Sequence, residues 1–189
     1  MKKISVILIA VLALALLAAC AGGNSTESSS SYEDTAAVLN TVWSGYDEAD
    51  KFPVAGGHVG DIENSVMDAP AKLDLTRIEE FDNSFALPVS QNENVEEAAS
   101  LFHQMNTNTF TAAAYKLKEG TDTAAFADEF SANVNSKMWM CGRPEKYVVV
   151  QSGSYVVTAY GAADIIDNFA AKLGALENAA TLTEGTIAG

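Results

Sequence analysis

Tyr147-Val148-Val149-Val150-Gln151-Ser152-Gly153-Ser154-Tyr155-Val156-Val157-Thr158 decides the fold. Two runs of β-branched and aromatic residues flank a small turn containing Ser152-Gly153, a pattern that predicts an antiparallel hairpin. Within each run the apolar residues are consecutive rather than alternating. Both faces of these strands therefore need cover, which implies central strands or a sheet packed on two sides.

Working outward, Ala162, Ile166, Phe169, Leu173 and Leu176 recur at helical spacing and predict a helix after the hairpin. The segment from 178 to 189 has no period and reads as a frayed, disordered tail. Before the hairpin, Phe126, Phe130 and Val134 are four apart, giving an amphipathic helix over 122–138 that stops before Gly142 and Pro144. Thr111, Ala113, Tyr115 and Leu117 alternate against Lys116 and Lys118, a half-buried strand over 109–118. Val95, Ala98, Phe102 and Met105 predict a helix over 93–105. Phe85, Leu87 and Val89 alternate like a short strand, with Pro88 at its edge or end. The order over 75–177 is strand, helix, strand, helix, hairpin, helix: an α+β domain with a mostly antiparallel sheet.

Ahead of that domain, residues 32–74 read as one helix and a long loop. The helix starts near Ser31, with Asp34 three residues on in a capping-box-like position, and Val38, Leu39, Val42, Trp43 and Tyr46 form its apolar face. The loop, over 48–74, contains Pro53, Gly56, Gly57, Gly60 and Pro70. A loop of that length inside a compact domain is either functional or loosely ordered.

The N-terminus carries a different kind of signal. Lys2 and Lys3 precede an apolar run from Ile4 to Leu17, interrupted only by Ser5, and the run ends in Leu17-Ala18-Ala19-Cys20. A basic start, an apolar centre and small residues before a cut site make a secretory signal. The run is shorter than the roughly 20 residues that span a bilayer. Leu-x-Ala-Cys resembles the lipobox of bacterial lipoproteins. That resemblance implies removal of residues 1–19, attachment of a palmitate-bearing diacylglyceryl group to Cys20, and lipid anchoring at the extracytoplasmic face of the cell membrane. Residues 20–31, the lipidated cysteine and a Ser-rich run, then serve as a flexible tether.

A second resemblance covers residues 107–174. Phe110 to Lys118, Phe126 to Met138, Pro144 with Tyr147, and Gly153-Ser154-Tyr155-Val156 are similar to the C-terminal part of an uncharacterised family of small clostridial-type, Gram-positive lipoproteins. Ser154 stands where that family has Asn. Its motifs are turn and core residues, so the resemblance implies an address and a fold and supplies no catalytic residue.

Charge limits the partners. With 11 Lys and Arg against 25 Asp and Glu, the chain carries a formal net charge of −14. Removing residues 1–19 takes away two lysines and no acid, which makes it −16. Such a surface argues against nucleic acid, which needs clustered cations. The membrane is expected as a partner through the lipid alone, and any protein or small-molecule ligand stays unnamed.

Candidate chemistry is sparse. Once Cys20 is lipidated, Cys141 is the only thiol, so no intramolecular disulfide is available. Cys141 is either a nucleophile activated by His58 or His103 or a buried or partly buried structural thiol, and the lack of a local signature favours the second. Zinc would need both histidines plus carboxylates. Asp61, Glu63, Asn64 and Asp68 form an oxygen-rich cluster of the type calcium takes, without the EF-hand pattern. No phosphate-binding loop, dinucleotide fingerprint or His-Glu-x-x-His occurs, and no metal or cofactor is expected. The expectation is a non-enzymatic binding or envelope-interaction module. An envelope hydrolase using Cys141 with a histidine, or a solute-binding lipoprotein, is the alternative.

Overall fold

The computed structural model describes residues 31–188. The signal segment 1–19, Cys20 and the tether up to residue 30 lie outside the described residues. Eight strands form one sheet: β1 (Val54–Gly56), β2 (Val66–Met67), β3 (Ala71–Lys72), β4 (Val95–His103), β5 (Phe110–Leu117), β6 (Lys146–Ser152), β7 (Tyr155–Gly161) and β8 (Ala180–Thr186). Their order is β2-β1-β4-β5-β7-β6-β8, with β3 paired to β4 beside β1, and every pairing is antiparallel. The helices are α1 (Thr35–Ser44), α2 (Phe81–Phe85), α3 (Thr123–Ser136) and α4 (Ala163–Leu173). This is the α+β class with an antiparallel sheet.

The central hairpin explains the layering. Ser152 pairs with Tyr155, leaving Gly153-Ser154 as the two-residue turn, and Gly153 has φ +60°. Two-residue hairpin turns need a residue that tolerates positive φ, and glycine supplies it without a Cβ penalty. Val149, Val156 and Tyr160 face one side with Phe126, Phe130 and Val134 of α3 and Phe81 and Phe85 of α2. Val148, Val150, Val157 and Ala159 face the other side with Val38, Leu39 and Val42 of α1 and Ile166, Phe169 and Leu173 of α4. The protein is a sheet between two helical layers, so its inner strands read as apolar runs.

Several sequence expectations change. Residues 93–105 form strand β4 rather than a helix. Val95, Ala98 and Phe102 do share one apolar cluster, but Ala99 and Leu101 belong to the other, as they must in a strand covered on both faces. A bulge between Val95 and Glu97 shifts the register and gives the start of β4 its helix-like spacing. Residues 85–89 are not a strand: α2 ends at Phe85, Ala86 caps it in the left-handed conformation (φ +56°), and a 3-10 turn follows over Val89–Asn94. The tail is not frayed. Val149 pairs with Thr183 and Val150 with Thr181, so β8 closes the outer side of β6.

The 48–74 segment also joins the sheet, through β1, β2 and β3. Gly56 permits this: a Cβ there would lie 2.2 Å from the Ala71 backbone nitrogen. Asp34 caps α1 by accepting the Ala37 N–H at 2.7 Å, so the helix starts at Thr35 rather than near Ser31. Glu97 accepts both the backbone N–H and the hydroxyl of Thr35 at 2.8 Å, fastening α1 to β4.

Deleting residues 179–189 checks the role of the tail. The truncated chain loses the β6–β8 ladder and the buried Ile187, and it should unfold at a clearly lower urea midpoint than the full chain. Equal midpoints would mean that β8 contributes nothing.

Candidate functional site

One end of the sheet gathers the unusual residues. The turn between β4 and β5 is fixed by its own polar groups. His103 Nδ1 accepts the N–H groups of Met105 and Asn106 at 3.2 and 3.3 Å, and Asn106 Oδ1 accepts the Asn108 N–H at 3.0 Å. Gln104 donates its side-chain amide to the Val54 carbonyl at 2.6 Å, which ties the turn to β1.

Across from it runs the loop from α3 to β6. Trp139 donates its indole N–H to the Val134 carbonyl at 3.3 Å and lies against Tyr160, ring centres 5.0 Å apart. The chain then reverses through two left-handed residues, Cys141 (φ +63°) and Gly142 (φ +100°). A non-glycine residue there is uncommon and needs support. Asparagine side chains supply it. Asn108 Nδ2 donates to the carbonyls of Met140 and Gly142 at 2.5 and 2.6 Å, and Asn106 Nδ2 donates to the Cys141 carbonyl at 3.3 Å. Three consecutive loop carbonyls are thus clasped by one turn, which leaves the side chains outside. Met105, Met138 and Met140 are 84%, 93% and 77% exposed, and Cys141 is exposed as well.

Two hollows flank the clasp. One, of about 420 Å³, is lined by Met105, Met140 and Cys141 together with the turn. The other, of about 520 Å³, is lined by Asp82, Asn133, Lys137, Met138 and Trp139 and shares Asn108 and Met140 with the first. In the second hollow Lys137 Nζ sits 3.0 Å from Asp82, and Asn133 donates to the same carboxylate at 2.8 Å. Burial raises the Asp82 carboxyl, but Asn133 and Lys137 outweigh it and hold the group below the usual carboxylate range.

Both histidines weighed as partners for Cys141 in the hydrolase alternative are engaged by the backbone. Cys141 is exposed, neither buried nor partly buried as the structural reading of the thiol required. His103 stands at the end of a strand, stacked on Phe52 with ring centres 5.8 Å apart, and its Nδ1 already accepts two backbone N–H groups. His58 Nε2 accepts the Asp74 N–H at 2.9 Å. Neither accepting nitrogen is free to take the thiol proton.

The oxygen-rich cluster does not converge either. Asp61 holds Asn64 at 2.9 Å but turns its other oxygen to Arg77 at 3.0 Å, so a cation already occupies that carboxylate. Asp68 contributes its carbonyl to the Trp43 indole at 3.2 Å. Among the described residues no group of three or more His, Cys, Asp and Glu could hold a metal ion.

The asparagine clasp escaped the sequence reading. Asn106-Thr107-Asn108 between two strands signals a turn. Nothing local shows that its amides reach a loop more than thirty residues away. No protein-family model, curated protein or solved structure matches this chain.

His58 generates a pH prediction. Burial of the imidazole, with Arg77 beside it, pulls its pKa below the usual histidine value, against the partial opposition of Glu80, Asp74 and Asp61. The unfolded chain therefore binds the proton more readily, and this contribution to stability is lost as pH falls from about 6.5 through the folded value. Protonation also removes the acceptor for Asp74. Thermal unfolding between pH 7.5 and 5 should show a steeper loss on acidification in the wild type than in His58→Gln. Parallel slopes would remove His58 as the cause.

Proposed function

We propose that this chain is a lipid-anchored extracytoplasmic lipoprotein whose folded domain is a non-enzymatic binding module. The signal segment, Cys20 in its lipobox-like context, the Ser-rich tether and the resemblance over 107–174 support the address. The observation that carries the orientation is the place where the tether meets the fold. Ser31 donates its N–H and hydroxyl to Glu177 at 3.1 and 2.9 Å, the Glu177 N–H reaches the Tyr32 hydroxyl at 2.8 Å, and Tyr155 reaches the Tyr32 carbonyl.

Tyr155 opens β7, whereas Gly161 closes it against Thr109. The tether therefore enters at one end of the sheet, and the clasped loop lies at the other, roughly 20 Å away along a seven-residue strand. An anchor at Cys20 would join the domain at the end opposite the methionine-bearing loop, leaving that loop accessible to a ligand or partner. The engagement of His58 Nε2 and His103 Nδ1 by backbone N–H groups weighs against the hydrolase alternative, which needs one of these histidines as base. The single sheet weighs against a two-lobed solute-binding subunit.

Metabolic labelling with a tritiated fatty acid tests the anchor. The wild type should carry label and sediment with membranes, and Cys20→Ala should carry none. On intact cells a membrane-impermeant maleimide should label Cys141, and Cys141→Ser should abolish that signal. An unlabelled wild type that still sediments with membranes, or a Cys141 that reacts only after lysis, overturns the reading.

A further inference from the structure

We propose that Met105, Met140 and Cys141 form a binding site for a soft monovalent cation, Cu(I). The inference names a ligand class for the binding module above and rests on that reading, but not on the lipid anchor. Met105 of the β4–β5 turn and Met140 and Cys141 of the α3–β6 loop line the same hollow, which brings two thioether-bearing residues and one thiol-bearing residue together. These are the donors that select Cu(I) over harder ions. Zinc prefers thiolate, imidazole and carboxylate, and His103, the imidazole on this turn, holds two backbone N–H groups with its Nδ1.

Exposure supports the assignment. Methionine is among the residues most often buried. Met105 and Met140 instead stand 84% and 77% exposed on a framework whose backbone is held by Asn106 and Asn108. The unbranched methionine side chain has three rotatable bonds, so its sulfur can swing toward an ion while the main chain stays fixed. The clasp fixes the part of the site that flexible side chains cannot fix for themselves.

Charge also fits. Binding replaces the thiol proton: Cys–SH plus Cu(I) gives a Cu(I)–thiolate and one released proton, with no change in oxidation state. A chain of net charge −14 favours the approach of the cation. The product is a neutral thiolate–copper pair flanked by two neutral thioethers, so no uncompensated charge remains in the hollow.

Anaerobic competition against a chromophoric Cu(I) chelator tests the site. The full chain carrying Cys20→Ser, purified in detergent, makes the outcome independent of lipidation and removes the other thiol. It should withdraw one Cu(I) per chain as a monomeric complex and release one proton. Ag(I) should displace the copper, and Zn(II) should not. Cys141→Ser should abolish the withdrawal, and Met105→Leu with Met140→Leu should weaken it by at least roughly tenfold while leaving the unfolding midpoint unchanged. X-ray absorption should show three sulfur neighbours around the metal.

Wild-type affinity in the double leucine variant would overturn the proposal, since the thiol alone would then suffice. So would one copper bridging two chains, or no competition with the chelator. None of these results bears on fatty-acid labelling at Cys20, so the ligand and the anchor fail separately.

Discussion

Everything in this protein depends on a hairpin whose two strands are apolar on both faces. A strand that buries alternate residues can leave one side to water. β6 and β7 cannot, because Val148 and Val150 point to one layer while Val149 points to the other, and Val156 and Val157 divide in the same way. Each such side chain contributes roughly 1.5–3 kcal/mol when fully buried, more than the ~1 kcal/mol net of a typical hydrogen bond. Leaving either face open would forfeit several of these contributions at once. The two helical layers follow from that constraint. The small residues beside the hairpin follow as well: Ala112, Ala113 and Ala114 of β5 alternate between the layers and let helices approach from both sides.

The same constraint decides what the sequence could disclose. The hairpin, α3 and α4 were legible because their periods are local: consecutive valines, a phenylalanine every four residues, and Ile166, Phe169 and Leu173 on one stripe. β4 was not, because a strand buried on both faces loses the alternation that identifies strands. Its bulge then places Val95, Ala98 and Phe102 at intervals of three and four residues, which imitate a helix. β8 was hidden for the opposite reason. Threonines and glycine in an edge strand carry little apolar pattern, and their ordering comes from the ladder that β6 offers. Residues 48–74 read as a loop because β2 and β3 are two residues long and exist only as pairings with β1 and β4.

The site was still less legible. Cys141 could be singled out as the lone thiol, but its exposure depends on a left-handed backbone whose carbonyls are tied down by asparagines on another element. Only tertiary structure brings Asn106 and Asn108 to that loop. The histidines illustrate the converse. Their residue type suggested catalysis or metal binding, whereas their accepting nitrogens complete backbone turns at Met105, Asn106 and Asp74. A polar residue in an otherwise apolar neighbourhood more often satisfies the chain itself than a ligand.

The basic side chains sharpen the contrast between the framework and the clasped end. Lys72 bridges Asp34 and Glu97, Arg77 joins Asp61 to Glu80, and Lys146 holds Asp167 at 2.7 Å. Each fastens one segment to another, so these cations serve the framework. At the clasped end Lys137 and Arg143 tie the loop's flanks to Asp82 and the Ala188 carbonyl, while its reversal over Met140–Gly142 is held by the neutral amides of Asn106 and Asn108, and its exposed tips are sulfur-bearing side chains. Neutral amides can fix the backbone without a fixed charge competing for an incoming cation. In the proposed Cu(I) site this division of labour leaves the backbone fixed by amides and the sulfur-bearing side chains of Met105 and Met140 free to move toward an ion.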